Sequence, residues 1–207
     1  MRTRIKICGI KSSDAAAGAI AAGADALGFN MYKPSARYIE PEAAGALLAQ
    51  LPPLVTKVGL FVNHSAEEVS AITQQCHFDL LQFHGDESNE YCRVFGMPFI
   101  KAIRVDEDTN IEKAVAAYPG CSGVLLDSHV PGQFGGTGTT FDWAKIPTLE
   151  KPVVLAGGLT VDNVARAIDL VHPYAVDLSG GVESSPGVKD VNLMTQFVHA
   201  VQTVEGS

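Results

Sequence analysis

A thiol and a carboxyl end two of the short apolar runs in this chain. Cys8 closes the run "IKIC", and Asp127 closes the run "GVLLD". Both groups transfer protons in enzymes as general bases or general acids, and neither requires a metal ion to do so. Free cysteine is also among the most buried residue types, so position alone leaves packing and chemistry both open for Cys8.

Other polar residues stand near the ends of similar apolar runs. Strand side chains alternate between two faces, so Lys6 shares a face with Cys8, and the remaining polar residues pair in the same way. The further candidates for ligand contact are Gln82 and His84 in "DLLQFH", and Asp177 and Ser179 in "AVDLS". A purely structural role for His84 stays open. The apolar neighbours predicted to face the opposite, helix-packed side are Ile5, Ile7, Leu81, Phe83, Leu126 and Leu178.

Two glycine pairs follow later apolar runs and suit an anion. Gly157 and Gly158 lie in "LAGGL", and Gly180 and Gly181 follow Ser179 in "LSGGVESSPGVKD". Small residues let backbone N–H groups approach a phosphate, and a short helix at such a loop can point its positive end toward it. These five residues therefore predict a phosphate-binding site, although ordinary glycine turns have the same composition.

A repeated alternation of apolar runs and helix-forming segments supplies the scaffold for these residues. Capping signals mark several helix starts, namely Ser12 or Ser13, the S-x-x-E box that begins at Ser65, Thr160, and Pro41 in a first turn. The eight predicted strands are Ile5–Cys8, Asp25–Phe29, Lys57–Val62, Asp79–His84, Phe99–Ile103, Gly123–Asp127, Pro152–Ala156 and Ala175–Ser179.

Strict alternation of eight strands with eight helical segments predicts an α/β fold. It is a single (β/α)8 TIM barrel of eight parallel strands, with residues 1–207 forming one catalytic domain. An open doubly wound sheet is the alternative, but it normally has fewer strands, and no G-x-G-x-x-G follows the first strand. The chemistry of a barrel lies at the carboxyl ends of its strands, so the candidate residues should meet at one mouth. The glycine-rich stretch Pro131–Phe141 is then a loop on that face, and its glycines suit either a movable catalytic loop or an ordinary flexible connection.

Charge and composition narrow the range of partners. The net charge is −8 and the isoelectric point about 5.1, so the surface should repel nucleic acids and anionic membranes. No apolar stretch is long enough to span a membrane and no secretory signal is visible, which predicts a cytoplasmic protein. The four cysteines lack C-x-x-C spacing, which favours reduced thiols over a zinc site or disulfides. A small anionic ligand suits a local pocket, and the sequence leaves a monomer and a homodimer both open.

Eight motifs together resemble one known family. They are "KICGI", "GADALGF", "SARYI", "LQFHGDE", "LLDS", "GGTGTTFDW", "LAGGLTVDNV" and "SGGVESSPGVKD", and they span nearly the whole chain in order. The family is phosphoribosylanthranilate isomerase of tryptophan biosynthesis. The resemblance implies an eightfold barrel, no metal or organic cofactor, and a phosphosugar substrate. The implied reaction is an Amadori rearrangement by general acid–base catalysis, which converts N-(5-phosphoribosyl)anthranilate to 1-(2-carboxyphenylamino)-1-deoxyribulose 5-phosphate.

The resemblance also assigns roles to individual residues. It makes Cys8 the general base and Asp127 the general acid, and it assigns Arg37 to the carboxylate of anthranilate. Two residues depart from the family pattern. Ala36 stands where proline is commoner, which would loosen the loop that holds Arg37, and Gly180 stands where a second serine is expected, which removes one hydroxyl donor to phosphate.

The implied mechanism requires a thiolate and a neutral carboxyl together. With ordinary pKa values of about 8.5 for cysteine and 3.9 for aspartate, only roughly 10⁻⁴ to 10⁻⁵ of molecules hold that pair. We therefore hypothesise that Lys6 lowers the pKa of Cys8 and that desolvation by bound substrate raises the pKa of Asp127.

Three other functions are compatible with the residues. An isomerase acting on a histidine-pathway phosphosugar usually pairs two aspartates, whereas Cys8 ends the first strand here. An aldolase would use Lys6 or Lys101 as a Schiff-base lysine. A non-catalytic phosphate-binding barrel would bind a product analogue without turnover.

Overall fold

The predicted barrel is present in the computed structural model, which describes residues 2–128 and 140–205. Its eight strands run parallel, and each pairs with the next until the last pairs with the first and closes the barrel. The strands are β1 (Arg4–Cys8), β2 (Ala26–Asn30), β3 (Thr56–Phe61), β4 (Leu80–Phe83), β5 (Phe99–Val105), β6 (Gly123–Ser128), β7 (Val153–Leu155) and β8 (Ala175–Leu178).

Helices connect the strands and cover the outside of the barrel. They are α1 (Ser13–Ala22), α2 (Pro41–Leu48), α3 (Ala66–Cys76), α4 (Asn89–Arg93), α5 (Ile111–Ala116), α6 (Val164–Val171) and α7 (Val191–Glu205). After β8 the chain forms a 3-10 turn, Gly180–Val182, and an antiparallel hairpin of β9 (Glu183–Ser185) and β10 (Val188–Lys189). Within the described ranges, no helix is long and apolar enough to cross a membrane.

The β6–β7 connection departs from the predicted alternation. In its described part, residues 140–152, the helical stretch is one 3-10 turn, Trp143–Lys145, and the expected α-helix is not formed there. Pro147 and Pro152 interrupt this segment, and proline removes the N–H that a helix interior needs. Trp143 is buried and joins the outer core in place of a helix face. Residues 131–139 of the predicted glycine-rich loop lie outside the described residues.

The two faces of the barrel strands pack differently. Inside the barrel, a compact apolar layer forms beneath the mouth, and its buried members are Ile100, Ala102, Leu125, Val154, Ala156 and Ala175. Outside it, the larger core packs the strands against the helices, and the predicted outward residues Ile5, Ile7, Leu81, Phe83, Leu126 and Leu178 all belong to it. The predicted alternation is therefore confirmed, and it aims the polar partners of these residues inward.

Most of the predicted helix starts are confirmed. Ser12 caps α1 by accepting from the Ala15 backbone N–H, and Pro41 occupies the first turn of α2. The prediction for Thr160 is wrong, because α6 begins after Asn163 at the cap position. The Thr160 carbonyl instead accepts the Val164 N–H in the turn that precedes the helix.

The capping box of α3 provides a stability test. Ser65 Oγ accepts from the Glu68 backbone N–H at 3.2 Å, and Glu68 Oε2 accepts from the Ser65 N–H at 2.8 Å. Ser65→Ala should lower the free energy of unfolding by about 1 kcal/mol, because one N–H at the helix start loses its partner. Urea denaturation measures this loss, with Ser70→Ala in the middle of the same helix as the control. Equal stability of the Ser65 variant and the wild type would contradict the prediction.

Candidate active site

A cavity opens at the carboxyl ends of the barrel strands. Its volume is about 240 Å³. All the predicted site residues except Lys6 line it, namely Cys8, Arg37, Gln82, His84, Asp127, Gly157, Gly158, Asp177, Ser179, Gly180 and Gly181. Closure of the barrel thus brings side chains from distant parts of the chain to one mouth.

The Cys8 side chain lies on the cavity wall beside β2. The strand register places Cys8 next to Gly28, and a side-chain carbon at Gly28 would lie only 2.7 Å from Cys8 Sγ. Glycine at this position therefore makes the space that the thiol occupies. Burial raises the pKa of the Cys8 thiol, the positive charges of Lys6 and Lys189 oppose that rise, and Asp177 reinforces it.

Lys6 lies beneath the cavity, outside its lining. The pairing of β1 with β8 brings Lys6 level with Asp177, and Lys6 Nζ lies 2.9 Å from Asp177 Oδ1 with both side chains buried. Burial alone would lower the pKa of Lys6, but the Asp177 carboxylate and the Cys8 thiol outweigh it, so the pKa lies above the ordinary lysine value. Lys6 therefore places a positive charge under Cys8, and direct contact of Lys6 with a substrate stays a prediction.

The structure supports the direction of the effect that we hypothesise for Lys6, which acts to lower the pKa of Cys8, but the net pKa of Cys8 is not lowered. Lys6 does act in that direction, but the removal of the thiol from water is the larger effect. Lys6 also shares its charge with Asp177. The net pKa of Cys8 is therefore above its ordinary value, and Lys6 limits the rise.

A hydrogen-bonded chain leads from β4 to Asp127 on β6. Gln82 Nε2 lies 3.0 Å from His84 Nδ1, and His84 Nε2 lies 3.2 Å from Asp127 Oδ2. When the amide donates to Nδ1, the ring proton resides on Nε2 and is donated to the carboxylate. All three side chains are buried, so His84 holds the Asp127 carboxyl in one orientation at the cavity wall.

The glycine pairs form the side of the cavity that follows β7 and β8. Gly157 has a φ of 83°, and a side-chain carbon there would lie 2.6 Å from the Ser128 backbone nitrogen. The Gly157 backbone can therefore pack this closely against Ser128 only because this residue is glycine. The Ser179 hydroxyl donates to the Cys8 carbonyl at 2.9 Å, so its hydrogen is engaged within the protein.

Arg37 reaches the cavity from the β2–α2 connection. Its Nε and Nη2 donate to the two carboxylate oxygens of Glu183, each at 2.8 Å. Lys189 Nζ donates to the same carboxylate at 2.7 Å. Burial would raise the pKa of Glu183, but Arg37 and Lys189 hold that pKa below its ordinary value. The loop that carries Arg37 is also tied at Ala36, whose carbonyl accepts from Lys11 Nζ at 2.9 Å.

Sequence reasoning does not identify several residues of this site. Asn30, Ser35 and Leu60 line the cavity, and Glu183 and Lys189 support Arg37 from behind. Asn30 directly follows the apolar run "DALGF", so the strand-end rule that found Cys8 and Asp127 applies to it as well. No comparable signal separates the buried charges of the β9–β10 hairpin from charges on a solvated turn.

The second lysine of the aldolase alternative lies away from the cavity lining. Lys101 Nζ lies 2.9 Å from Glu87 Oε2 and 2.5 Å from the Gly85 carbonyl oxygen, and it is buried. A Schiff-base lysine must be able to lose its proton and reach a substrate carbonyl. Lys6 and Lys101 are both paired with carboxylates and neither lines the cavity, so the geometry does not favour an aldolase.

A thiol and a histidine-supported carboxyl on one cavity wall equip the site to move protons on a small ligand. Among residues 2–128 and 140–205, no group of three or more His, Cys, Asp or Glu side chains is arranged to hold a metal ion.

The fold and the cavity define the chain as a (β/α)8 barrel protein with proton-transferring side chains at the carboxyl ends of its strands. Residues 5–200 match the family described as "PRAI: N-(5'phosphoribosyl)anthranilate (PRA) isomerase". A protein from Hahella chejuensis named N-(5'-phosphoribosyl)anthranilate isomerase is 52% identical over 201 residues, which are 97% of this chain and 94% of that protein. The chain therefore belongs to the N-(5'-phosphoribosyl)anthranilate isomerase family.

Solved structures agree with this assignment. The phosphoribosyl anthranilate isomerase from Thermotoga maritima superposes with a TM-score of 0.90 at 38% identity, covering 97% of this chain and 99% of that one. A phosphoribosyl anthranilate isomerase solved in complex with reduced 1-(o-carboxyphenylamino)-1-deoxyribulose 5-phosphate superposes with a TM-score of 0.85 at 37% identity, with 97% and 99% of the two chains covered. The resemblance seen in the sequence motifs is therefore confirmed.

Replacement of Lys6 tests its electrostatic effect on the thiol. Lys6→Met should raise the pKa of Cys8 further, because the largest interaction that opposes burial is lost. The rate of Cys8 alkylation by iodoacetamide, followed against pH, should shift to higher pH. Cys8→Ala gives the background from the other cysteines, and Lys145→Met removes an exposed lysine as the control.

An unchanged alkylation profile in Lys6→Met would refute this role of the lysine. The single variant leaves Asp177 buried without its partner, which is costly. The double variant Lys6→Met/Asp177→Asn removes the pair as a unit and provides the same measurement if the single variant does not fold.

Proposed function

We propose that this chain catalyses the Amadori rearrangement of N-(5-phosphoribosyl)anthranilate to 1-(2-carboxyphenylamino)-1-deoxyribulose 5-phosphate in tryptophan biosynthesis. The observation that carries the proposal is one cavity that holds Cys8, Asp127, Arg37 and the two glycine pairs together. A phosphosugar joined to an aromatic carboxylate offers a matching group to each of these parts. Family membership supports the same activity.

In the proposed mechanism, Asp127 and Cys8 act in sequence on the ribose. Asp127 donates a proton to the ring oxygen, the bond between that oxygen and C1′ breaks, and the anthranilate nitrogen supplies the electron pair that forms an iminium ion. Cys8, as the thiolate, then removes the C2′ proton, which gives an enolamine that tautomerises to the ketone. The overall change is an isomerisation, so no oxidant or reductant is consumed.

The remaining predicted site residues bind the two ends of the substrate in this proposal. Arg37 presents a guanidinium to the anthranilate carboxylate, because its planar fork matches carboxylate geometry. The backbone N–H groups at Gly157–Gly158 and at Ser179–Gly181 bind the phosphate, since small residues expose N–H groups to an anion. Gln82, His84 and Asp177 line the same cavity, and in this proposal they contact the sugar.

The positions of the charges support this division of roles. Substrate binding displaces water from a cavity in which Cys8 and Asp127 are already buried. Desolvation favours the neutral form of a carboxyl, as the donor role of Asp127 requires. The same effect opposes the thiolate, and Lys6 and Lys189 counter it with positive charge near Cys8. All four cysteines are free thiols, which supports the proposed cytoplasmic location.

Removal of either proton-transfer group tests the mechanism. Cys8→Ala and Asp127→Ala should each lower kcat by roughly 10² to 10⁴, because each deletes one proton transfer in the reaction. A fluorescence assay with freshly prepared phosphoribosylanthranilate measures turnover, and calorimetry with the reduced product analogue measures binding. The analogue should bind each variant within about threefold of its wild-type affinity, because the groups that bind its two ends remain.

Matched controls replace the same residue types outside the cavity. Cys121→Ala removes a buried thiol, and Asp169→Ala removes an exposed carboxylate. Both should turn over substrate at the wild-type rate. Full activity in Asp127→Ala would show that another group is the acid, whereas wild-type protein that binds the analogue without turnover would support the non-catalytic barrel instead.

Arg37→Met should change binding more than chemistry. A guanidinium contacts a carboxylate equally in the ground state and the transition state, so KM should rise by at least tenfold while kcat falls by less than about threefold. Steady-state kinetics with phosphoribosylanthranilate separate the two constants. A fall in kcat at constant KM would contradict the assignment.

A further inference from the structure

We propose that Glu183 and Lys189, on the β9–β10 hairpin, are the positioning residues that aim Arg37 at the substrate carboxylate and give the site its charge for a carboxylate-bearing substrate. The inference rests on the proposed function and adds to it a specificity device outside the cavity wall. Neither residue lines the cavity, so neither is a candidate for contact with the reacting sugar.

The contact between Arg37 and Glu183 fixes the orientation of the guanidinium. Nε and Nη2 both donate to Glu183 at 2.8 Å, so one edge of the guanidinium plane is occupied. A guanidinium offers a second bidentate edge, formed by Nη1 and Nη2. Because Arg37 itself lines the cavity, Glu183 leaves this second edge for a ligand carboxylate. The flexible arginine is thereby ordered before the substrate arrives, which lowers the entropy cost of binding.

Lys189 supplies the charge that makes this arrangement suit an anion. Without Lys189, the charges of Glu183 and Arg37 would cancel. A substrate carboxylate would then bring a net negative charge into a buried site. Lys189 Nζ lies 2.7 Å from Glu183 Oε1, and the Lys189 side chain is 1% exposed. With Lys189 the cluster carries one net positive charge, so a substrate carboxylate completes its neutralisation.

Further contacts connect the hairpin to both ends of the site. Lys189 Nζ donates to the Ser179 carbonyl at 3.0 Å and to its hydroxyl at 3.1 Å, and that hydroxyl donates to the Cys8 carbonyl. At the hairpin turn, a side chain at Gly187 would collide with the carbonyl oxygen of Ala36, which precedes Arg37. The hairpin therefore packs against the Arg37 loop while Lys189 bonds to the end of β8.

The experiment compares two ligands that differ only in the carboxylate. The first is reduced 1-(2-carboxyphenylamino)-1-deoxyribulose 5-phosphate, and the second is the same compound made with aniline in place of anthranilate. Calorimetry measures the dissociation constant of each for the wild type, Glu183→Gln, Lys189→Gln and Lys189→Arg. Glu67→Gln removes one negative charge at an exposed residue of α3 that does not line the cavity, and it is the matched control.

The proposal makes a ligand-specific prediction. Glu183→Gln and Lys189→Gln should each weaken the carboxylate-bearing ligand by about tenfold and change the aniline compound by less than twofold. Lys189→Arg keeps the positive charge and should recover most of the affinity. In kinetics with phosphoribosylanthranilate, Glu183→Gln should raise KM far more than it lowers kcat, and Glu67→Gln should match the wild type.

Two results would overturn the proposal. Equal weakening of both ligands would assign the hairpin a general structural role, and no weakening of either would remove its role altogether. Circular dichroism checks that each variant folds. If Glu183→Gln does not fold, the comparison of the two ligands is made with Lys189→Gln. Turnover of phosphoribosylanthranilate by the wild type reports separately on the proposed function, so a wild type that is active but does not distinguish the ligands would overturn only the carboxylate assignment.

Discussion

Closure of the barrel between β1 and β8 is the constraint on which the site depends. This pairing joins residues 171 positions apart and sets Lys6 level with Asp177. Side chains alternate along a strand, so a slip of one residue would turn Cys8 out of the mouth and expose both charges to the helix-packed side. Removal of one partner from a buried ion pair typically costs about 3 to 5 kcal/mol, which penalises any register that separates them. The same ion pair that supports the thiol thus favours the strand alignment that brings the thiol into the cavity.

The chain as a whole is acidic, with a net charge of −8, yet its cavity suits a ligand that carries a phosphate and a carboxylate. The buried positions of the cations explain how an acidic chain can hold an anionic ligand. Arg37 lines the cavity, and Lys6 and Lys189 lie behind its wall. Each of the three cations contacts a carboxylate that fixes its position. Asp177 neutralises Lys6, whereas Arg37, Glu183 and Lys189 together keep one net positive charge. Buried charges are screened less by salt than surface charges, so this one charge acts more strongly at the cavity than the distant acidic surface does. In the proposed function, binding of anions is therefore a local property that overall composition does not predict.

Repeated patterns and the barrel that they imply could be predicted from the sequence, whereas individual contacts between distant side chains could not. Strand periodicity correctly placed the polar residues inward, and the S-x-x-E pattern gave the start of α3. Thr160 is a residue type that is preferred at helix N-caps, but α6 begins after Asn163 instead. Glu183 meets Arg37 across 146 residues, and no spacing rule connects them. Their contact exists only because the hairpin folds back over the barrel mouth after the last strand.

The chain of Gln82, His84 and Asp127 shows how the site can hold a carboxyl that loses and regains a proton in the proposed mechanism. With Asp127 ionised, His84 carries its proton on Nε2 and donates it, while Nδ1 accepts from the Gln82 amide. With Asp127 protonated, the carboxyl donates to Nε2, the ring proton moves to Nδ1, and the amide must turn to present its oxygen. Gln82 Oε1 has no hydrogen-bond partner among the described residues, so turning the amide breaks no bond at that atom. In each state one polar atom of Gln82 is left without a partner, at a cost of about 1 to 3 kcal/mol. Because the amide can turn, His84 keeps its hydrogen bond to Asp127 in either arrangement of the chain.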